Sequence, residues 1–350
     1  MRLRRLINLT KKALQHPGEV RRLMANKRLR RAYRGGAIDA LAEGTIHPDS
    51  LFIITLDSCR FDVFDEADAP TLKSIGEHYE AHTPAVFTFA AHASLFVGMT
   101  PGIATSRERY KNPKAGRIFR IVNTAAGGVR SDWIQLEGRT IVEGFRKLGY
   151  YTVGVAASRW FNPEVATGTI LTQDFEDFRH SGTDIEAQVA YLTERINANR
   201  DRPIFAFVNV GETHIPYHYK GAPWPKKNIC MLFGEENDAE LCRERQRLCL
   251  EFTDEKIAPL VRLFQNSGAS LLCMGDHGDC HGEDGVWAHG VYHEKVMKVP
   301  MVFHLRDRDP NGGPVDVSNE GDEVPVLAEM GDAPEETNRV MAAPSIGVEE

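Results

Sequence analysis

The sequence predicts an α/β protein built on a central, largely parallel sheet flanked by helices. Two observations carry this. Three short apolar runs, Leu51–Leu56 (LFIITL), Ile204–Val210 (IFAFVNV) and Leu271–Met274 (LLCM), have the length and composition of strands buried on both faces. Amphipathic helical segments fall between them, and every run breaks off into a cluster of polar residues. Strand and helix alternating in this way give a doubly wound sheet, in which ligands sit just beyond the carboxyl ends of the strands.

Taken in order, residues 1–34 read as two basic amphipathic helices broken at His16-Pro17-Gly18. They hold twelve Lys or Arg against the single acid Glu19, so a net charge of −7 for the whole chain leaves about −18 for the rest. Such a segment suits an anionic membrane surface or an acidic partner, and equally a helix packed on the acidic body of the same chain. Without aromatic interleaving or a groove-reading motif it argues against nucleic acid. The first strand ends at Asp57-Ser58-Cys59-Arg60. A carboxylate there is costly unless paired or bound to metal, and Arg60 either grips a phosphate or sulfate oxygen or neutralises Asp57. Thr88 closes an extended segment, with a helix over Ala90–Phe96 directly after it. Alone it reads as a helix N-cap, yet a hydroxyl at that place also meets unpaired backbone N–H groups that can hold an oxyanion.

Residues 139–156 read as a helix, a stop at Gly149 and a strand from Tyr151, and Asp184–Ala198 is a further helix. The strand Ile204–Val210 runs into Glu212, Thr213, His214, Tyr217 and His218. A long charged helix follows over 236–265, where Cys242 and Cys249, seven apart, read as packing. The strand from Ser270 stops at Gly275, and the glycine-rich loop beyond it carries Asp276, His277, Asp279, His281, Glu283, Asp284 and His289. Carboxylate and imidazole packed this densely suit a hard-to-borderline divalent cation such as zinc or manganese. After Leu305 the periodicity decays into an acidic, Pro- and Gly-rich tail expected to be flexible, with one short element possible over Val324–Met330. The chain therefore divides into a basic helical arm (1–45), a catalytic domain (46–305) and a tail (306–350). With no run of 18 apolar residues, no secretory pattern and six cysteines outside any CxxC pair, it reads as a cytoplasmic protein, with peripheral membrane contact open to the arm.

Four clusters coincide in order: Asp57-x-x-Arg60 after a strand, Thr88-Phe89-Ala90-Ala91-His92, Glu212-x-His214-x-Pro216-Tyr217, and Asp276-His277-Gly278 with His289-Gly290. Together they resemble the alkaline phosphatase/sulfatase superfamily over about residues 50–305. The last cluster is similar to the DHG-x-x-x-GE…HG…VP segment of sulfatases and of phosphoethanolamine and phosphoglycerol transferases. The resemblance implies an alkaline-phosphatase-like sandwich in which Asp57, Thr88, Asp276 and His277 bind one divalent ion. That ion is zinc or manganese first, magnesium or calcium next. Thr88 would be the nucleophile, matching the threonine of T-F-P-N-H in nucleotide pyrophosphatase/phosphodiesterases. His214 and His289 would bind substrate oxygens or, with Glu212 and His218 as weaker candidates, a second ion. Two departures stand out: Ala90 and Ala91 replace the proline and asparagine of that motif, and the C/S-x-P-S-R motif of sulfatases is missing.

The expectation is thus a metal-dependent hydrolase or transferase acting on anionic phosphate esters through a threonine nucleophile and a phosphothreonine. The alternatives are a sulfatase-like hydrolase and a non-catalytic scaffold using its basic arm.

Overall fold

Five adjacent parallel strands make up most of one seven-stranded sheet, and their shared direction decides where the polar clusters gather. The computed structural model describes residues 17–36, 38, 42–98, 120–123, 132–135, 139–231 and 237–306. The first of the two expected basic helices, most of the 101–135 segment and the acidic tail lie outside the described residues.

The chain opens with α1 (Pro17–Arg34), β1 (Leu51–Leu56), α2 (Phe61–Glu66), α3 (Pro70–Lys73), β2 (His78–His82) and α4 (Thr88–Val97). After the hairpin β3 (Arg120–Asn123) and β4 (Asp132–Gln135) come α5 (Ile141–Lys147), β5 (Tyr151–Ala156), α6 (Ala166–Thr172), β6 (Asp177–His180) and α7 (Ile185–Asn197). The last third holds β7 (Ile204–Val210), α8 (Ala239–Asn266), β8 (Ser270–Gly275), β9 (Cys280–His281), β10 (Trp287–Ala288), α9 (Glu294–Met297) and β11 (Lys298–His304). Across the main sheet the order is β2-β11-β8-β1-β7-β5-β6, with β11 antiparallel to both its neighbours.

Both faces of the sheet are covered, which is why its central strands are apolar throughout. Phe52, Ile54 and Leu56 of β1 join a core under α7 and α8, where the Phe52 and Phe264 rings meet tilted, with centroids 5.1 Å apart. Ile53 points the other way, with Phe205 and Phe207 of β7, into a second core against Phe89 and Phe96 of α4. Period-two alternation thus sorts one strand between two layers. Helices α5, α7 and α8 start at side-chain caps: Thr140 accepts from Glu143 N–H, Asp184 from Ala187 N–H and Asp238 from Leu241 N–H.

The three apolar runs, and the helices on 141–147, 185–197 and 239–266, agree with the sequence reading. Strands β2 (HYEAH) and β6 (DFRH) carry no apolar pattern, and only their pairing with β11 and β5 makes them strands. Helix α1 packs against α7 through buried Asn26 and Leu29, with the ion pairs Arg28–Glu194, Arg30–Asp184 and Arg34–Glu186 along the seam. Among the described residues no helix is long and apolar enough to cross a membrane, and all six cysteines are buried and unbridged.

Candidate active site

Strand register builds the centre of the site. Leu56 pairs with Val210 of β7 on one side and with Gly275 of β8 on the other, so Asp57 and Asp276 emerge side by side from adjacent parallel strands. Ser58 N–H donates to Asp276 Oδ1 (3.0 Å), as does His277 N–H (2.8 Å), while Thr213 Oγ donates to the Asp57 carbonyl at 2.7 Å. From α8 the buried Gln246 amide ties the carbonyls of Ser58 and Thr213 together, at 2.8 and 3.0 Å. Gly278 lets the turn after His277 lie against α9: a Cβ there would come within 2.1 Å of the Lys295 carbonyl.

Thr88 arrives from the opposite core. It is the first residue of α4, whose N-cap is the extended Phe87 with no side-chain cap bond, so the hydroxyl does not perform the capping that its position in the sequence suggests. Instead Thr88 Oγ1 lies 3.4 Å from Asp57 Oδ1 and 3.2 Å from His277 Nε2, and the residue is buried. His92, one turn on, locks this geometry. Its Nδ1–H donates to the Thr88 carbonyl at 2.8 Å, and its Nε2 faces Thr55 Oγ1 at 2.9 Å, from the same face of β1 as Ile53. Burial pushes His92 down to about 4, so the ring is neutral.

Asp57, Asp276 and His277 offer ligand atoms that all lie within 4.8 Å of one another. His277 Nδ1–H donates to the Gly278 carbonyl at 3.0 Å, which leaves the Nε2 lone pair facing the two carboxylates; burial pushes this histidine down to about 3. Asp276 is driven strongly upward by burial and then by the facing Asp57 carboxylate. Its Oδ2 is buried without a hydrogen-bond partner. Two buried carboxylates, one of them with an orphaned oxygen, beside a neutral imidazole and a hydroxyl form a donor set for a divalent cation. The residues fit the group.

A second cluster joins the first through ring contacts. His277 and His289 have centroids 4.3 Å apart, His289 and His214 5.2 Å. His289 Nδ1–H donates to Asp279 Oδ1 at 2.6 Å, and Tyr217 O–H donates to Asp279 Oδ2 at 2.7 Å while sitting 3.0 Å from His281 Nε2. Burial lowers His289, but the Asp279 carboxylate outweighs it and leaves the imidazole above its ordinary value. In return, against the upward effect of its own burial, Asp279 is held well below the carboxylate range by His289, His214 and His277. His277, Asp279 and His289 also form a possible metal-holding group, although both Asp279 oxygens already accept hydrogen bonds.

No family model matches the chain, and no curated protein does. Solved structures match it in shape. The C-terminal periplasmic domain of EcEptC from Escherichia coli superposes with a TM-score of 0.52 over 75% of this chain and 74% of that one, at 12% identity. Phosphonate monoester hydrolase of Agrobacterium radiobacter gives 0.51 over 74% and 68%, at 14% identity. The likeness is one of fold, and that fold is alkaline-phosphatase-like. The Escherichia coli domain has also been solved in complex with Zn, and that structure matches with a TM-score of 0.50, 12% identity and coverage of 75% and 74%.

Within this alkaline-phosphatase fold the predicted site residues separate into two sets. Asp57, Thr88, Asp276 and His277 converge, and His214 and His289 stand beside them. Arg60 does not face the site or pair with Asp57. Its Nε and one terminal nitrogen bind Asp62 at 2.8 and 2.7 Å, and the other reaches Glu283 at 2.7 Å and the Asp279 carbonyl at 3.4 Å. This buried guanidinium braces the loops after β1 and β8, a task its sequence position does not reveal. Glu212 turns away as well: its Oε1 accepts from Ile185 N–H at 2.8 Å, at the start of α7. His218 is half-buried beside Trp224 and belongs to neither carboxylate–histidine group. Asp279, Tyr217 and His92 had gone without a role. The signal for Asp279 was present in its place two residues after His277, whereas Tyr217 and His92 acquire theirs only through the fold.

Proposed function

We propose that the protein is a metal-dependent enzyme of phosphate esters, a hydrolase or transferase, with Thr88 as its nucleophile. The observation that carries this is the convergence of a buried threonine hydroxyl on two adjacent carboxylates and a neutral imidazole, at the first turn of a helix. A divalent cation held by Asp57, Asp276, His277 and Thr88 would lower the pKa of the hydroxyl and offset charge on the ester. Zinc suits this donor set, and the Escherichia coli domain of the same fold has been solved with Zn.

The residues divide the remaining work. His92 holds the Thr88 backbone, so that Oγ1 approaches phosphorus from a fixed direction. The unpaired N–H groups of the first turn of α4 face the same place and suit developing negative charge. As the bond from phosphorus to Thr88 Oγ1 forms, the bond to the leaving oxygen breaks, and that oxygen takes a proton from His289. Asp279 keeps His289 Nδ1 occupied, which orients the ring and presents Nε2. Water or an acceptor alcohol then displaces Thr88 from phosphorus, giving its proton to the now neutral His289 Nε2 and returning Thr88 Oγ1 to the oxyanion from which it attacked. Because both Asp279 oxygens are engaged within the protein, this reading uses one ion. Six buried free thiols suit a reducing compartment, and the proposal includes a cytoplasmic location.

Metal analysis of the purified protein, followed by a screen of phosphate monoesters, diesters, phosphonates and sulfate esters with Zn²⁺, Mn²⁺ or Mg²⁺, tests the reading. Bound metal near one equivalent and turnover of a phosphorus ester support it. Turnover of sulfate esters alone assigns the site to sulfuric-ester chemistry, and absence of both metal and turnover leaves a scaffold.

A further inference from the structure

Helix α1 crosses the end of the sheet at which the candidate site lies. Asn26 Nδ2 donates to the carbonyl of Ser181, the residue after β6, at 2.8 Å. Arg30 Nε donates to Asp184 Oδ2 at 2.6 Å, a little further along the same connection. Gly18 abuts Glu164, in the segment that follows β5. Strands β5 and β6 run parallel with β7 and β1, so these connections and Asp57 share the carboxyl edge of one sheet. Between β1 and β6 there are three strand spacings, about 15 Å at the usual separation.

The inner face of α1 is satisfied by Asn26, Leu29 and the ion pairs of Arg30 and Arg34. On its outer face Arg28 pairs with Glu194, and the residues around it do not share such a partner. Arg21, Met24, Lys27 and Arg31 recur every three or four residues and are all exposed. The three cations have no ion pair among the described residues. Met24 is 64% exposed and the neighbouring Leu23 is 41% exposed, the exposed large apolar side chains of the helix. The sixteen residues before α1 add five Lys or Arg and no acid. Cations interleaved with long, flexible apolar side chains on one helix face match the boundary between headgroups and acyl chains.

We propose that the outer face of α1 docks the protein on an anionic lipid bilayer. Charge complementarity selects the surface. Exposed Leu23 and Met24, set among the cations of the helix, favour a bilayer over an acidic protein. Docked in this way, the carboxyl edge of the sheet lies close to the membrane, and a phosphate ester in a headgroup has a short path to Thr88. The docking stands on the fold and on the helix surface, whatever chemistry the site performs.

Vesicle co-sedimentation of the full chain tests it. Wild-type protein is expected to bind vesicles containing phosphatidylglycerol, weakly or not at all those of pure phosphatidylcholine, and less as salt rises. Replacing Arg21→Gln, Lys27→Gln and Arg31→Gln together removes three cations, which at the usual energy per charge weakens binding about a hundredfold. Met24→Ser is expected to weaken binding while leaving its salt dependence unchanged. All four side chains are exposed, so the variants keep the fold, and turnover of a small soluble ester, if the wild type shows it, is expected to be unchanged. Equal binding to both kinds of vesicle, or undiminished binding by the triple variant, overturns the proposal. Failure to bind anionic vesicles together with binding to a polyglutamate peptide assigns the face to an acidic protein, and also overturns it.

Discussion

Asp276→Asn separates a metal ligand from a structural carboxylate, because the two predict opposite changes in stability. In the metal-free protein the Asp276 carboxyl is raised by burial and by Asp57 beside it. A buried acid whose pKa is raised in the folded state contributes most below its unfolded pKa, and that contribution falls as pH rises through the folded value. Asparagine keeps an oxygen to accept from Ser58 N–H and His277 N–H, at 3.0 and 2.8 Å in the parent, and removes only the charge. The metal-free variant is therefore expected to be about 1–3 kcal/mol more stable than wild type at pH 8, the scale of one unpartnered buried polar group, with a smaller advantage at pH 5. Zinc reverses the order. A ligand a hundredfold above its dissociation constant adds about 2.7 kcal/mol to the native state, and the variant forgoes this gain. Thermal melts with chelator and with zinc, alongside metal analysis, read both effects. A variant that melts below wild type in chelator, or that gains as much from zinc as wild type does, refutes the reasoning and makes Asp276 a hydrogen-bonding residue of the loop.

The other expectations concern three residues that the fold treats differently. Because Thr88 does not cap α4, Thr88→Ala is expected to cost about 1 kcal/mol in stability and to abolish turnover. Thr88→Ser should retain measurable activity, and acid-quenched mass spectrometry should find a phosphoryl adduct on the wild-type peptide; undiminished turnover by Thr88→Ala removes the nucleophile. Arg60→Met takes the cation from Glu283 and leaves Asp62 to Arg243 and Lys295, so a loss of about 2 kcal/mol in denaturant melts is expected with KM for a small ester nearly unchanged. A raised KM at unchanged stability returns Arg60 to substrate binding. Burial lifts Glu212 from 4.5 to about 7, which makes ionising it in the folded state cost about 3 kcal/mol, lost progressively as pH rises from 4.5 through 7. Glu212→Gln should accordingly gain on wild type in Tm between pH 5 and pH 8, and parallel profiles would count against a buried, upward-shifted carboxyl.

How far the sequence could be read depended on whether a residue's task is local. Apolar runs that end at Asp57 and Gly275-Asp276 announce strands and strand-end acids, since a carboxylate directly after a buried run needs a reason to be there. The same rule failed for Glu212. It also follows a buried strand, yet the N–H groups at the start of α7 supply its partner, and no local pattern names them. Arg60 shows a related ambiguity: a guanidinium gives the same signal whether it faces substrate or, as here, Asp62 and the distant Glu283. Thr88 was read two ways, as a cap and as a nucleophile, and only the extended conformation of Phe87 separates them. Edge strands such as β2 escaped notice because their pairing partner, rather than their composition, makes them strands.

The side-by-side emergence of Asp57 and Asp276 sets a rule for how this chain can change in length. Inside β1 or β8 a single inserted residue reverses every side chain beyond it, so Thr55 would lose His92 and Asp57 would leave its neighbour. Insertions between the strands carry no such constraint, since their ends are fixed by the sheet. Related sequences are therefore expected to keep identical spacing from Phe52 to Asp57 and from Leu271 to His277, while the stretches between them grow or shrink. Two short rulers in the chain, each only a few residues long, hold the measure of the site.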